Sequence, residues 1–273
     1  MDFIMRIMLS TVLWCAAMVV VAHGSYISME TSLSVTASLE KVEAEVTTLN
    51  KGDEPAHKVR LEIQAMGQNF ASNRVVQLGV GQAYVDTFSL GNLFPLEGRY
   101  PVFVKTHYQD ANGYQFSALH GGLHDYGQGV PSVIKIKGQE ADMPVDGETR
   151  VQFTLFNNGT SPHDIELSLH VPDEVLVTVE TNTLTLQAKE EKEVAFVLKN
   201  FSALENSSYA VLLAVGYSDD GKYYGGLSST IVHIKEVQSV FSAFSPKWIV
   251  ASMAVLFLVF LALQFKTRGK QKR

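Results

Sequence analysis

The stretch VTTLNKGDEP at residues 46–55 comes back as FTLFNNGTSP at residues 153–162. The identical positions share one offset of 107 residues: Asn50, Gly52 and Pro55 match Asn157, Gly159 and Pro162. Glycine and asparagine tolerate positive φ in turns, and proline keeps the residue before it extended. Each copy therefore predicts a strand that ends in a turn, followed by a chain that returns in extended form.

Two further landmarks recur in the same order. LEGRY at 96–100 is echoed by LENSSY at 204–209, and YQDANG at 108–113 is echoed by YSDDG at 217–221. A tyrosine that follows a leucine by four or five residues and heads an apolar strand is typical of the tyrosine corner of a β-sandwich. The Asp and Gly residues after that strand predict a hairpin turn. Three landmarks at nearly one offset predict two copies of one β-rich domain.

Short segments of alternating polarity run through the region between the chain ends. Residues 42–46 and 59–63 alternate, and similar runs bounded by Gly, Pro, Asn or Asp follow at 83–90, 102–108, 151–156, 165–171, 175–179, 184–186, 194–198, 209–217 and 227–234. Long stretches with helical periodicity are missing from this pattern. The spacing predicts an all-β fold of two tandem immunoglobulin-like β-sandwiches, at residues 25–130 and 131–236.

A family resemblance rests on these turn and strand motifs. TLFNNG at 154–159, IELSL at 165–169 and LTLQAKE at 184–190 resemble bacterial and archaeal immunoglobulin-like modules of the CARDB and alpha-galactosidase-associated type. In the first copy, LNKG at 49–52 and AHKVRL at 56–61 resemble the same group. The overall layout is also similar to that of the beta subunit of the eukaryotic translocon-associated complex. The resemblance implies a spacer or interaction module on an envelope protein.

Both ends of the chain indicate targeting to a membrane. Residues 1–24 have a positive start at Arg6, an apolar run and small residues before Ser25, which predicts a secretory signal peptide. Residues 248–265 are 18 uncharged residues, long enough at about 1.5 Å each to form one transmembrane helix. A basic tail at 266–273 is expected in the cytoplasm by the positive-inside rule, and 237–247 would be a juxtamembrane linker. We expect a single-pass type I protein of the cytoplasmic membrane, with a periplasmic or extracellular ectodomain.

The charge and cysteine content of the predicted ectodomain limit the partners and reactions that we expect for it. Residues 25–246 hold 27 Asp and Glu against 15 Lys and Arg, which argues against a nucleic-acid partner. The only cysteine, Cys15, falls in the predicted signal peptide. The mature chain would therefore have neither a disulfide nor a thiol nucleophile, and its stability would depend on its apolar cores.

One histidine cluster interrupts the strand pattern. His107 is followed by the HGGLHDY segment, in which His120 and His124 stand four residues apart beside Asp125. Such a pair can ligate zinc on a helix, but the two glycines make a helix improbable. We interpret residues 120–126 as a polar loop that joins the two domains, and we expect neither a metal nor another cofactor.

The acidic and aromatic residues offer two more candidate sites. The run Glu190, Glu191 and Glu193 alternates with lysines, which is typical of a solvated face and not of the opposed carboxylates of a glycosidase. Aromatic residues surround both predicted hairpins, and tyrosine suits protein or sugar contacts. Half of them should simply alternate into the core. The possible binding surface comprises Tyr108, Tyr114, Phe116, Tyr126, Tyr217, Tyr223 and Tyr224.

The sequence contains neither a serine-nucleophile elbow nor a phosphate-binding loop, so we predict a protein that is not an enzyme. We expect a membrane-anchored envelope protein whose ectodomain binds or scaffolds other proteins or glycans, and whose residues 248–265 contact the lipid bilayer. The alternative is an accessory subunit of a membrane complex for secretion, transport or polysaccharide assembly. A metal- or sugar-active enzyme is the third hypothesis.

Overall fold

The computed structural model describes residues 26–37, 41–179 and 182–236, and these form an all-β structure without a helix. The predicted signal peptide, linker, transmembrane segment and basic tail lie outside the described residues. Seventeen strands follow in chain order: β1 Met29–Ala37, β2 Val42–Asn50, β3 Ala56–Ala65, β4 Gln68–Ala71, β5 Val75–Leu78, β6 Ala83–Gly91, β7 Gly98–Gln109, β8 Gln115–Tyr126, β9 Ile134–Gly138, β10 Ala141–Pro144, β11 Glu148–Asn157, β12 His163–His170, β13 Val175–Val179, β14 Thr183–Leu186, β15 Glu191–Asn200, β16 Ser208–Asp219 and β17 Lys222–Lys235.

The N-terminal half, residues 26–126, packs a three-stranded sheet against strands of a larger one. The order β1-β2-β6 lies opposite β8-β7-β3, with β4 and β5 paired to β3. Alternate side chains point inward from both layers, so Val46 and Phe88 meet Leu61 and Val102 in one buried cluster. This is the strand order of an immunoglobulin-like sandwich.

The C-terminal half, residues 132–236, repeats that arrangement. The sheet β13-β15-β11-β9 faces β14-β12-β16-β17, and β10 pairs in parallel with β17. Its core includes Phe153, Phe196 and Leu213, all fully buried. The immunoglobulin-like β-sandwich fold predicted from the alternating segments is therefore confirmed for the described part of the chain.

The two halves share one continuous ten-stranded sheet, which the sequence did not indicate. The start of β17 pairs in parallel with the start of β7, through Tyr223 with Gly98 and Tyr224 with Arg99. A Cβ atom on Gly98 would lie 2.0 Å from the backbone oxygen of Tyr223, and one on Gly225 would lie 2.4 Å from that of Arg99. Gly98 also has a φ of +153°, which side-chain-bearing residues rarely adopt. The junction between the halves therefore requires glycine.

The repeated asparagines hold the same hydrogen-bond frame in both halves. The buried Asn50 side chain donates to the backbone oxygens of Glu54 (2.7 Å) and Leu78 (3.2 Å) and accepts from the Gly52 amide (3.0 Å). The equally buried Asn157 donates to Ser161, Leu186 and Gln187 and accepts from Gly159 at 2.8 Å. Each amide thus ties a strand end to a neighbouring loop.

The other landmarks also take the predicted conformations. The Tyr100 hydroxyl donates to the Leu96 oxygen at 2.7 Å, and the Tyr209 hydroxyl accepts from the Leu204 amide at 3.3 Å. Residues 110–114 close the β7–β8 hairpin, and Asp220 and Gly221 close the β16–β17 hairpin. The tyrosine-corner and hairpin predictions are confirmed.

The interpretation of residues 120–126 as an interdomain loop is wrong. They belong to β8, which pairs with β7 along its whole length from Gln115 to Tyr126. The sequence did not indicate this strand, because the two glycines interrupt the alternation of side chains. Their role in the structure is to allow close packing. A Cβ atom on Gly121 would lie 2.8 Å from Leu212 and 3.0 Å from Phe103, so glycine lets the halves approach.

Candidate binding groove between the two halves

A small apolar cluster forms the centre of the contact between the halves. Phe103 of β7 packs with Leu212 and Ala214 of β16, with partly buried leucines at their edge. The His170 ring stacks on Phe103 with ring centroids 3.5 Å apart. Burial, and to a smaller extent the nearby charge of Lys105, lowers the pKa of His170 to about 4. His170 is therefore neutral at physiological pH and acts as part of the packed contact.

Asp173 forms the charged part of the contact. Its carboxylate accepts from Lys105 at 2.8 Å and lies 2.7 Å from the His107 Nδ1 atom, so it bridges two side chains of β7. The hydrogen bond with His107, followed by that with Lys105, lowers the pKa of Asp173 well below its usual range. The other ring nitrogen of His107 lies 3.4 Å from a Glu62 oxygen, so both sides of this ring face carboxylates. The arrangement is a polar network in which Lys105 and Asp173 form an ion pair.

Glu174 closes the open edge of β8. This carboxylate is only 1% exposed and accepts from the Ser117 amide and the Ser117 hydroxyl, both at 2.7 Å. The same hydroxyl accepts from the Asp173 amide at 2.8 Å. An uncovered edge strand offers its N–H groups to other chains, and here one such group is occupied by a side chain of the other half.

A groove of about 590 Å³ runs along this contact and is lined by both halves. Tyr26, Tyr108 and Phe116 line it from the N-terminal half, and Leu204 and Tyr209 line it from the C-terminal half. Tyr108 and Phe116 stack with centroids 5.7 Å apart. Burial, followed by the charge of Glu174, raises the pKa of the Tyr108 hydroxyl far above its usual range.

The rim of this groove is apolar and exposed. Tyr26 is 58% exposed and Leu204 is 53% exposed. Exposed apolar groups that meet around a concavity are typical of interaction sites. A second cavity of about 480 Å³, lined by Phe103, His170 and Tyr223, lies at the same contact between the halves.

The predicted aromatic surface is only partly brought together. Tyr108 and Phe116 line the groove, and Tyr114 is 67% exposed at the tip of the same hairpin. Tyr126 instead packs at 5.9 Å from Phe94.

The second hairpin contributes less to any surface. Tyr217 is only 5% exposed because its side chain points into the C-terminal core, where it stacks on Tyr224 at 5.0 Å. Tyr223 stacks on Tyr100 at 4.3 Å across the junction, and burial raises its pKa to about 12. The inclusion of Tyr217 in a surface patch is therefore corrected, whereas Tyr223 is half-buried and also lines the second cavity.

The candidate metal-binding histidines do not converge. His120 and His124 lie four residues apart on β8, which places their backbones about 13 Å apart on one face of the strand. Burial lowers the pKa of each of these histidines. Within residues 26–37, 41–179 and 182–236, no group of three or more His, Cys, Asp or Glu side chains could hold a metal ion.

Residues of the contact network were missed from the sequence. Asp173 and Glu174 were not singled out, and their partners lie 56 to 68 residues earlier in the chain. A Pro-Asp-Glu turn before a strand carries no local signal for such distant contacts. The solvated character of Glu191 and Glu193 is confirmed, since both are exposed at the start of β15.

Comparison with known proteins finds distant structural neighbours but no matching family model. No family model and no curated protein matches the chain. Among solved structures, a PapD-like domain of human CEP192 shows 11% identity over 40% of this chain and 89% of that domain (TM-score 0.31). Native Escherichia coli alpha-2-macroglobulin shows 10% identity over 76% of this chain and 17% of its own (0.31), and the E. coli chaperone DraB shows 9% over 42% and 61% (0.30). The relation to CARDB-type modules stays a prediction.

In the described residues, no helix is long and apolar enough to cross a membrane.

Proposed function

We propose that this chain is a non-catalytic, single-pass type I membrane protein whose ectodomain binds or scaffolds other proteins or glycans. The halves at residues 25–130 and 131–236 are tandem copies of one immunoglobulin-like domain, which the matching Asn50 and Asn157 frames support. The groove formed jointly by the halves carries the proposal. Because neither half alone supplies both walls, joining the copies creates a concave surface that a single copy lacks.

The chemistry of the groove favours a protein segment as its occupant. Its lining combines aromatic and aliphatic side chains with serines and with the acidic residues Glu54, Asp110 and Glu174. An extended segment with apolar side chains and a basic residue would fit both features, since apolar burial supplies affinity and charge complementarity supplies orientation. The hydroxyl groups of Tyr26 and Tyr209 would also hydrogen-bond a glycan.

A second candidate, an accessory subunit of a membrane complex, is favoured by the place where the chain leaves the sandwich. Leu204 and Ser207 of the groove wall lie beside Ile234, whose amide donates to the Ser207 oxygen at 2.9 Å. The uncharged segment 248–265 follows Ile234 by 14 residues. A partner in the same membrane would therefore reach the groove.

The test is quantitative co-purification of the full-length chain in mild detergent. Leu204→Asp places a charge on the groove rim, while Val85→Asp makes the same change at an exposed valine of β6 outside the groove. We expect the unsubstituted chain and Val85→Asp to retain partner or glycan binding, and Leu204→Asp to lose it. A stoichiometric membrane partner would favour the accessory subunit, and binding to a glycan array would favour the adhesin-like function. Equal binding by all three chains would contradict the role of the groove.

A further inference from the structure

The geometry points to a lipid-contacting surface at one end of the ectodomain, separate from the proposed membrane span itself. We infer that this surface, called here the apolar end, consists of Tyr26, Tyr114, Phe201 and Leu204 and rests on the neutral headgroup region of the membrane. The inference rests on the proposed anchor at 248–265.

Strand direction brings the two halves to the same end. The strands β7 and β17 pair in parallel at their first residues, so both then run the same way. They have 12 and 14 residues, and at about 3.3 Å per residue they extend about 40 Å and about 46 Å. The tip of the β7–β8 hairpin and the last described residue, Glu236, therefore emerge at the same end of the molecule.

Contacts around the groove support this placement. Tyr114 stands at the hairpin tip, where its amide donates to Asp110 at 2.8 Å, and Asp110 lines the groove together with Leu204 and Tyr26. Phe201 lies beside them, since its amide donates to the backbone oxygen of Glu174 at 2.9 Å. Tyr26 and Leu204 thus line the groove, and Tyr114 and Phe201 are hydrogen-bonded through their amides to its lining residues Asp110 and Glu174.

These side chains are unusually exposed for their size. Phe201 is 69% exposed, and the other three are each more than half exposed. Phenylalanine and leucine gain free energy on entering the acyl boundary, and tyrosine favours the headgroup level, where its ring is apolar and its hydroxyl is wet. The set has the composition of an interfacial contact.

The remaining chain keeps this end close to the bilayer. Eleven residues, 237–247, separate the described sandwich from the apolar segment, and residues 237–246 carry no charge. Eleven residues can span at most about 40 Å, even when fully extended. Acidic residues near the end, such as Asp53, Asp110 and Glu205, disfavour anionic headgroups. Neutral or zwitterionic lipid is therefore the expected partner.

The test measures membrane depth at single labelled sites in the full-length chain. A Cys15→Ala background removes the only native cysteine. Tyr114→Cys and Phe201→Cys report on the apolar end, Val85→Cys is an exposed control on β6, and Val255→Cys reports on the anchor. Each spin-labelled chain is placed in phosphatidylcholine nanodiscs, and its collisions with oxygen, which concentrates in lipid, are compared with those of a water-soluble nickel complex.

We expect oxygen collisions to dominate at residues 114, 201 and 255, and nickel collisions to dominate at residue 85. Suppose that oxygen collisions dominate at residue 255, while residue 114 or residue 201 shows the same dominance of nickel collisions as residue 85. The proposal of a lipid-contacting end is then wrong, and the proposed anchor is retained. If nickel collisions dominate at residue 255 itself, that residue is in water, and both the anchor and the proposed membrane topology are wrong. Unchanged unfolding curves of the labelled chains show that the labels report on the native fold.

Discussion

The two corner tyrosines occupy matching positions in the two halves, yet their surroundings differ. Tyr100 is fully buried and stacks between Phe94 at 4.2 Å and Tyr223 at 4.3 Å. Tyr209 is half-buried and lines the groove. The second half covers the corner of the first, while its own corner stays open. When two similar units pack side by side, the corner tyrosine of one unit is buried by the other, and the second corner tyrosine stays accessible for contacts in the groove.

The junction that causes this asymmetry depends on Gly98. In Gly98→Ala, the new Cβ would collide with Tyr223 and hold a φ that alanine disfavours, so we expect a loss of about 4 kcal/mol in unfolding free energy. Chemical denaturation should also become biphasic as the halves separate. The control Gly113→Ala has positive φ but open space around it, and should cost about 1 kcal/mol with one transition. A single cooperative transition in both variants would contradict the role of the junction.

Acid should weaken the contact through His170, which packs against the first half. Its pKa is lowered to about 4 from an ordinary value of 6.5, so the unfolded chain binds more protons between these pH values. This stability is fully present above pH 6.5 and is lost as the pH falls to about 4. The loss should reach about 3 kcal/mol at most, since one pKa unit corresponds to 1.36 kcal/mol.

Unfolding curves of His170→Gln between pH 7 and 4 measure this contribution. The variant should lose most of the pH dependence, while His57→Gln, on β3 of the first half, should retain it. An unchanged slope in His170→Gln would show that other groups carry the acid sensitivity.

The repeated asparagines, unlike the tyrosines, should behave alike. Asn50→Ala and Asn157→Ala each leave buried carbonyl and amide groups without partners, which should cost about 2 kcal/mol in either half. Asn158→Ala, an exposed neighbour, should cost less than about 0.5 kcal/mol. Thermal unfolding of the three variants gives the comparison, and a large difference between the two buried positions would mean that the frames are not equivalent.

The smallest expected difference in unfolding free energy is the one between removal of the Tyr100 hydroxyl and removal of the Tyr209 hydroxyl. Tyr100→Phe removes a buried 2.7 Å hydrogen bond and should cost about 1.5 kcal/mol, whereas Tyr209→Phe removes a partly exposed one at 3.3 Å and should cost about 0.5 kcal/mol. The urea concentrations at the unfolding midpoints would measure both losses of unfolding free energy, provided that the slope of this free energy with urea concentration is unchanged. Equal losses would indicate that the groove side of Tyr209 is more closed than its exposure suggests.

Local patterns predicted most of the fold, because alternation and turn residues act over a few positions. The strands β2, β3, β6, β7 and β11 to β17 correspond to predicted segments, and the hairpins at 110–114 and 219–222 close as expected. The pattern missed the short strands β4, β5, β9 and β10, which have only four or five residues each. It also missed β1, which is rich in Ser and Thr, and β8, where Gly121 and Gly122 interrupt the alternation of side chains.

The candidate site was harder to predict because it depends on pairs that are far apart in sequence. Tyr108 and Phe116 were found as hairpin aromatics, but their opposite wall, Leu204 and Tyr209, comes from the other half. Nothing local distinguishes Tyr217, which points inward, from Tyr114, which points outward. Such choices follow from the packing of one half on the other, which the repeated motifs do not encode.

The path of β17 also has a mechanical consequence. This strand runs from the junction with β7 to the last described residue, and it is paired with β16 over 12 residues and with β10 over four. A pull on the C-terminal side would load those hydrogen bonds in shear, all at once, instead of peeling them one by one. The strand would pass the tension directly to the first half, so the two halves would respond to force together.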